Sequence, residues 1–201
     1  MLKRIRSLVS NSNFISIYDN ALSKKECDFL IDYFEKDPDV YPGIVLNYGK
    51  PEVDKTAKID TEKTHDLFNS SIFSCTVRNA LNRCLLKYGT RYPSLKLTNT
   101  SSAYQYFNIQ KFDGEEQGYM VWHTEHGPGV MSHRMLVWMF YLNDAKSGTE
   151  FMHHPNVRAK MGRCVIWPAG WTHSHRGAPN IGLKYIATGW CSWNKGVGTN
   201  T

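Results

Sequence analysis

Apolar residues recur along this chain at two periods, and the change from one to the other divides it. In the first half, Cys27, Leu30, Ile31 and Phe34 fall at helical spacing behind Ser23-Lys-Lys-Glu26. That Ser-x-x-Glu spacing is a capping box, so a helix is expected from there to about Lys36. Phe73, Val77, Leu81, Cys84 and Leu85 make a second apolar face, predicting a helix from about Asn69 to Tyr88 with Gly89 as its stop. Phe14–Ile17 reads as a strand ahead of the first helix. Pro38 to Pro51 is rich in Pro, Gly and Tyr and reads as a loop.

From Leu95 onward the pattern is one of short strands. They are expected at Leu95–Thr98, Ser102–Phe112, Tyr119–His123, Arg134–Leu142, Glu150–Met152, Cys164–Trp167, Thr172–His175 and Lys184–Trp190. Asp113-Gly114, Gly127-Pro128-Gly129, Asn143-Asp144 and Pro168-Ala-Gly170 separate them as turns, the mark of a β-sandwich or barrel. The last strand carries an informative alternation. Lys184, Ile186, Thr188 and Trp190 share one face; Tyr185, Ala187 and Gly189 share the other. A lysine beside Ile and Trp is costly to bury without a partner, and an anionic ligand would supply one. The alternative is a strand-end lysine that reaches solvent.

Composition narrows the class. At 201 residues the chain is expected to form one domain. The net charge of +6 comes from scattered basic residues, with one short run at Lys3-Arg-Ile-Arg6. No basic stripe interleaves with aromatics, so nucleic acid is not the expected partner. Cys27, Cys75, Cys84, Cys164 and Cys191 are odd in number and contain no C-x-x-C, which argues against a disulfide framework or a thiolate zinc site and fits a reducing compartment. The basic start has too short an apolar stretch for a signal peptide, Asn11-Ser-Asn13 interrupts it, and no run approaches membrane-spanning length. The expectation is a soluble, cytoplasmic protein without membrane contact.

The chemistry lies in the strand-rich half. His123 and Glu125, two residues apart on an expected strand, point the same way and can both reach one ion. Some fifty residues later come His173 and His175, either of which can supply a third ligand from a neighbouring strand. Two imidazoles and one carboxylate form the facial triad that holds Fe(II) and leaves positions open for a cosubstrate and O₂. A metal-dependent hydrolase or isomerase of cupin type would use similar ligands without needing Lys184. A catalytically dead jelly-roll module would be expected to have lost a ligand.

The order and spacing of Gln110-Lys-Phe-Asp-Gly114, Gly118-Tyr-Met-Val-Trp-His-Thr-Glu125, Tyr141-Leu-Asn143, Ser147-Gly-Thr-Glu-Phe151, Gly162 to Pro168, His175-Arg-Gly177 and Lys184-Tyr185 resemble the 2-oxoglutarate/Fe(II)-dependent oxygenases. The likeness is to small members of the prolyl 4-hydroxylase branch and spans roughly Tyr104 to Trp193, with a weaker match over Asn20 to Cys27. It implies an α+β fold: a double-stranded β-helix, or jelly roll, over 95–195, supported by the N-terminal strand and helices of 1–94. It implies His123, Glu125 and His175 as the iron ligands, His175 because it precedes the basic cosubstrate residue by the family's interval and is followed by Arg-Gly. It implies Lys184 and Tyr141 for the far carboxylate of 2-oxoglutarate, with Thr188 and Trp190 lining the pocket. Phe112 stands where many relatives have a tyrosine, so Gln110 or Asn108 inherits its hydrogen-bonding role. Glu125 replaces the commoner Asp; keeping a carboxylate there argues for hydroxylation over halogenation. Ascorbate is the expected reductant. A peptidyl proline is the expected substrate, with Tyr104, Tyr106 and Trp171 as candidates for a peptide groove; a small molecule or nucleobase is the alternative. His153 and His154 are candidates for substrate contact.

Overall fold

The computed structural model describes residues 13–47, 50–98, 103–178 and 180–193, without side chains at 97–98 and 103–104. The basic start, Ser102 and the side chain of Tyr104 therefore lie outside the described residues. In chain order, strand β1 (Ser16–Tyr18) leads into helix α1 (Lys24–Glu35). Short strands follow: β2 (Tyr41–Pro42), β3 (Val45–Asn47), β4 (Lys50–Glu52) and β5 (Lys58–Ile59). Then come β6 (Thr61–Asp66) and helix α2 (Ile72–Arg91). The second half holds β7 (Ala103–Asp113), β8 (Gly118–Tyr119), β9 (Arg134–Tyr141) and β10 (Gly148–Phe151). It closes with β11 (Val157–Arg158), β12 (Cys164–Pro168), β13 (His175–Gly177) and β14 (Leu183–Ser192).

The major sheet runs β1-β12-β9-β14-β7-β6-β2, and a smaller sheet, β11-β10-β13, faces it in a jelly-roll arrangement. Every recorded pairing is antiparallel. Alternation along the strands separates two apolar layers. Leu136, Trp138 and Phe140 of β9, with Tyr185 and Ala187 of β14, pack against Leu30, Phe34, Val77 and Leu81 of the helices. Val137, Met139 and Tyr141 of β9 face the other way, toward Phe151 and Trp167 between the sheets.

The N-terminus of α1 is the expected capping box. Ser23 Oγ accepts from the Glu26 N–H at 3.3 Å, and the Glu26 carboxylate accepts from the Ser23 N–H at 2.7 Å. At the other end of α1, Glu35 accepts from the Tyr185 hydroxyl at 2.6 Å and pairs with Lys111 at 3.0 Å, which fastens the helix to the back of the sheet.

Some boundaries differ from expectation. Helix α2 runs through Gly89, which keeps helical backbone, and stops at Tyr92, because the residue before Pro93 is barred sterically from the helical region. Leu95–Thr98 is part of a 3-10 turn spanning Pro93–Thr98, not a strand. The Pro38–Pro51 loop contains the edge strand β2 and the β3/β4 ribbon, places where proline does no harm to a ladder. Tyr119–His123 is strand only at Gly118–Tyr119, after which His123 keeps a single bridge to His175. Thr172–His175 is a 3-10 turn at Trp171–His173 followed by β13. No helix among the described residues is long and apolar enough to cross a membrane.

Candidate active site

A cavity of about 420 Å³ opens between the two sheets. His123, Glu125 and His175 meet on its wall, each offering a ligand atom within 4.8 Å of the others. His123 and His175 come from distant segments, but their backbones are tied reciprocally. The N–H of each donates to the carbonyl of the other at 3.0 Å. Glu125 is placed by its own N–H, which donates to the Ala169 carbonyl at 3.1 Å.

Ring orientation follows from hydrogen bonding. Nδ1 of His123 lies 3.0 Å from the Val121 carbonyl, and Nδ1 of His175 lies 2.9 Å from the His173 carbonyl. A carbonyl only accepts, so each Nδ1 carries the proton and each Nε2 keeps its lone pair. Both Nε2 atoms face Glu125 Oε1, at 3.6 and 3.7 Å. The rings are packed in place: Tyr119 stacks on His123 at 3.7 Å, and Trp167 meets His175 edge-on at 5.0 Å. Burial and the neighbouring His175 push the His123 pKa down despite Glu125, so the ring is neutral near pH 7. Burial alone would raise the Glu125 carboxyl; the facing imidazoles and Arg134 hold it well below the usual carboxylate range. Two imidazoles and one carboxylate around an open cavity fit a divalent first-row metal.

His173, the competing third ligand, points elsewhere. Its Nε2 lies 2.8 Å from the Asn13 carbonyl, its Nδ1 lies 2.9 Å from Thr172 Oγ1, and its ring stacks on His154 at 4.5 Å.

β14 sends Lys184, Ile186, Thr188 and Trp190 to the cavity, as the alternation predicts. Lys184 is 3% exposed. Among the described residues its ammonium has no hydrogen bond and no ion pair, and it rests 4.6 Å from the centroid of the Phe112 ring. Burial pushes its pKa down to about 8, against the longer-range pull of Asp60. A buried cation without a partner fits the far carboxylate of a dicarboxylic acid. Tyr141 also lines this cavity, with its hydroxyl 2.7 Å from Thr149 Oγ1.

Three of the candidates on the cavity wall also make hydrogen bonds to the protein. Gln110 reaches the cavity, but its amide donates to Glu62 Oε2 at 2.8 Å. Thr188 donates to the Trp138 carbonyl at 3.1 Å. Trp190 is more than lining: its indole N–H donates to Glu125 Oε2 at 2.9 Å. Of the groove aromatics with described side chains, Tyr106 lines the cavity, whereas Trp171 is 76% exposed and lies outside its lining. His154 is half-buried against His173, with Nε2 3.1 Å from the Thr172 carbonyl.

Sequence reasoning missed two groups. Arg134 donates to Glu125 Oε2 at 2.8 Å. Strict alternation from Trp138 and Leu136 would send it to the helix side, but the β9/β14 register shifts between Cys191 and Ser192 and Arg134 lines the cavity. Lys58 is buried between Asp60 at 3.4 Å and Glu62 at 2.5 Å, with its ammonium 3.5 Å from the Ile44 carbonyl. Glu62 Oε1 in turn accepts from the Ile44 N–H at 2.8 Å, so this cluster grips the backbone of the mouth segment. Burial lifts Asp60 to about 7 although Lys58 opposes it. A Cβ on Gly43 would collide with the Asp60 carboxylate, which explains the glycine there.

Residues 105–192 match the family model described as the 2OG-Fe(II) oxygenase superfamily. That stretch is similar to the 2OG-Fe(II) oxygenases. The matched segment contains His123, Glu125, His175, Lys184, Tyr141, Gln110, Thr188 and Trp190. Solved structures share its fold across nearly the whole chain. A Trichoplax adhaerens prolyl hydroxylase, in complex with a hypoxia inducible factor oxygen degradation domain peptide, superposes with a TM-score of 0.71 at 15% identity, covering 96% of this chain and 91% of that one. A Pseudomonas putida prolyl-4-hydroxylase gives 0.65 at 14% identity, with 96% and 98% covered. The viral collagen prolyl hydroxylase of Paramecium Bursaria Chlorella virus-1, in its 2OG complex, gives 0.64 at 15% identity, with 91% and 98% covered. These are double-stranded β-helix proteins, as is this chain. Among curated proteins no sequence matches it.

Proposed function

We propose that this protein is a 2-oxoglutarate- and Fe(II)-dependent dioxygenase that hydroxylates a peptidyl proline. The observation that carries the oxygenase reading is the joint occupancy of one cavity by the His123, Glu125 and His175 ligand set and by Lys184, a buried cation without an ion pair among the described residues. A hydrolase or isomerase built on the same ligands has no use for that lysine.

His123 Nε2, His175 Nε2 and Glu125 Oε1 would hold the iron, and Lys184 with Tyr141 would hold the far carboxylate of 2-oxoglutarate. When bound, iron and cosubstrate supply the oxidation, which converts 2-oxoglutarate and O₂ to succinate and CO₂ and places one oxygen on a substrate C–H bond. This chain's contribution is positioning. Phe112, its ring centroid 4.6 Å from the ammonium, and Ile186, the next residue on the same face of β14, exclude water beside Lys184, which strengthens its attraction for a carboxylate. Tyr141 stays protonated because burial pushes its hydroxyl well above 10, so it remains a donor at any working pH. Ascorbate serves as reductant in this reading, and the five free cysteines suit a cytoplasmic setting.

The proline assignment draws support from the prolyl hydroxylases that share the fold and from Tyr41 and Tyr106 on the cavity wall, which suit an extended Pro-containing chain. The test incubates a proline-rich peptide library and a methylated oligonucleotide separately with the protein, iron, ascorbate and 2-oxoglutarate. Mass spectrometry should show an added oxygen, about +16 Da, on proline alone. Demethylated oligonucleotide with untouched peptides would overturn the proline assignment, and no succinate release under any condition would overturn the oxygenase reading.

A further inference from the structure

We infer that Arg134 and Trp190 act as a clamp that decides which oxygen of Glu125 a metal ion receives. The inference rests on the metal-site reading above and deepens it. Glu125 Oε2 accepts two hydrogen bonds, from Arg134 Nη1 at 2.8 Å and from Trp190 Nε1 at 2.9 Å. Oε1 is turned the other way, 3.6 Å from His123 Nε2 and 3.7 Å from His175 Nε2. The carboxylate is thus divided, with one oxygen given to the protein and the other to the ligand position.

The clamp is itself held. The Arg134 guanidinium lies 3.6 Å from the centroid of the Trp190 ring, close enough to stack. Arg134 begins β9 and Trp190 stands near the end of β14, neighbouring strands whose register shift turns Arg134 into the cavity. The side chains of Arg134 and Glu125 are only 11% and 15% exposed, so water competes weakly for these bonds.

A glutamate has one more rotatable bond than an aspartate, and an untethered one offers a metal both oxygens or neither. With Oε2 engaged, Glu125 is a one-oxygen ligand already aimed at the point where the imidazoles converge. That leaves the remaining metal positions to cosubstrate and O₂. An aspartate is shorter by one carbon–carbon bond, about 1.5 Å, and cannot reach the metal and both donors together. Arg134 and Trp190 are positioning residues in this account.

The experiment titrates Co(II) alone, which is stable in air, into the folded protein by calorimetry and follows its visible absorption. Trp190→Phe removes the indole N–H and leaves a smaller aromatic ring in its place. Arg134→Gln removes the charge and the planar fork. Each should weaken Co(II) binding about tenfold or more, the usual effect of losing a hydrogen bond to a metal ligand. Each should also change the Co(II) absorption as Glu125 becomes free to bind through both oxygens. Glu125→Asp should lose affinity similarly, and adding Trp190→Phe to it should cost nothing further, because a metal-bound aspartate has left the clamp. Unchanged affinity and absorption in both single variants, or full additivity in the double variant, would overturn the clamp. A parent protein that binds no Co(II) would instead refute the metal site, and the clamp with it.

Discussion

Replacing Lys184 with Met should make the protein more stable and less able to hold its cosubstrate. The ammonium is 3% exposed, and burial drives its pKa from 10.5 to about 8. At 1.36 kcal/mol per unit, keeping this lysine charged costs the fold about 3 kcal/mol. Methionine has a similar length, carries no charge and sits well against Phe112 and Ile186. Lys184→Met should therefore raise unfolding free energy at pH 7 by about 2–3 kcal/mol. The pH dependence supplies a second check. The folded pKa lies below the unfolded one, so between about pH 8 and 10.5 the unfolded chain binds more protons and the lysine's penalty fades as pH rises. The stability gap between variant and parent should be full below about pH 7, fall steeply between about pH 8 and 10, and close above about pH 10.5. Taking the difference cancels the titration of tyrosines and cysteines common to both. Urea unfolding at pH 7, 8.5 and 10 measures the gap. A hundredfold excess of 2-oxoglutarate over its dissociation constant should stabilise the metal-loaded parent by about 2.7 kcal/mol and leave the variant unmoved. A variant less stable than the parent at pH 7, or a gap that stays constant with pH, would refute the reasoning.

Two further outcomes concern the ligands and the scaffold. His175→Ala should reduce Co(II) affinity by more than about a hundredfold, whereas His173→Ala should leave it within about twofold and instead cost about 1 kcal/mol of stability through the lost bond to Asn13; calorimetry and urea unfolding separate the two. Ser23→Ala removes the side-chain half of the α1 capping box and should cost about 1 kcal/mol in urea unfolding with no change in metal affinity.

What the sequence disclosed was whatever repeats. The period of Cys27, Leu30 and Phe34 located α1, and the alternation of Lys184, Ile186, Thr188 and Trp190 sorted β14 correctly into a cavity face and a helix face. β6 escaped notice because Thr61 to Asp66 is polar throughout; its inner face belongs to the charged wall of the cavity, so no apolar alternation marks it. Gly89 misled because a glycine ends a helix only where the backbone turns left-handed, and here the stop comes from Pro93 instead. The three groups around the proposed metal position could be named from spacing and family likeness. Their mutual orientation could not, since it depends on carbonyls at Val121 and His173 that leave no trace in residue type. Arg134 was hidden for the opposite reason: a local register shift reverses the face that alternation assigns.

The reciprocal backbone bonds between His123 and His175 bear on the order of events in the life of the chain. Those two hydrogen bonds belong to the polypeptide and owe nothing to an ion, so the distance between the imidazoles is settled when the sheets assemble. On the metal-site reading proposed above, folding would precede loading. Newly made protein can wait in a finished state for whichever divalent cation its surroundings provide, and a chelator should silence it reversibly without unfolding it. Selection among cations passes from the architecture to supply: where copper or zinc is plentiful this arrangement has little means of refusing them, and the proportion of active molecules in a preparation becomes a record of the metals it met.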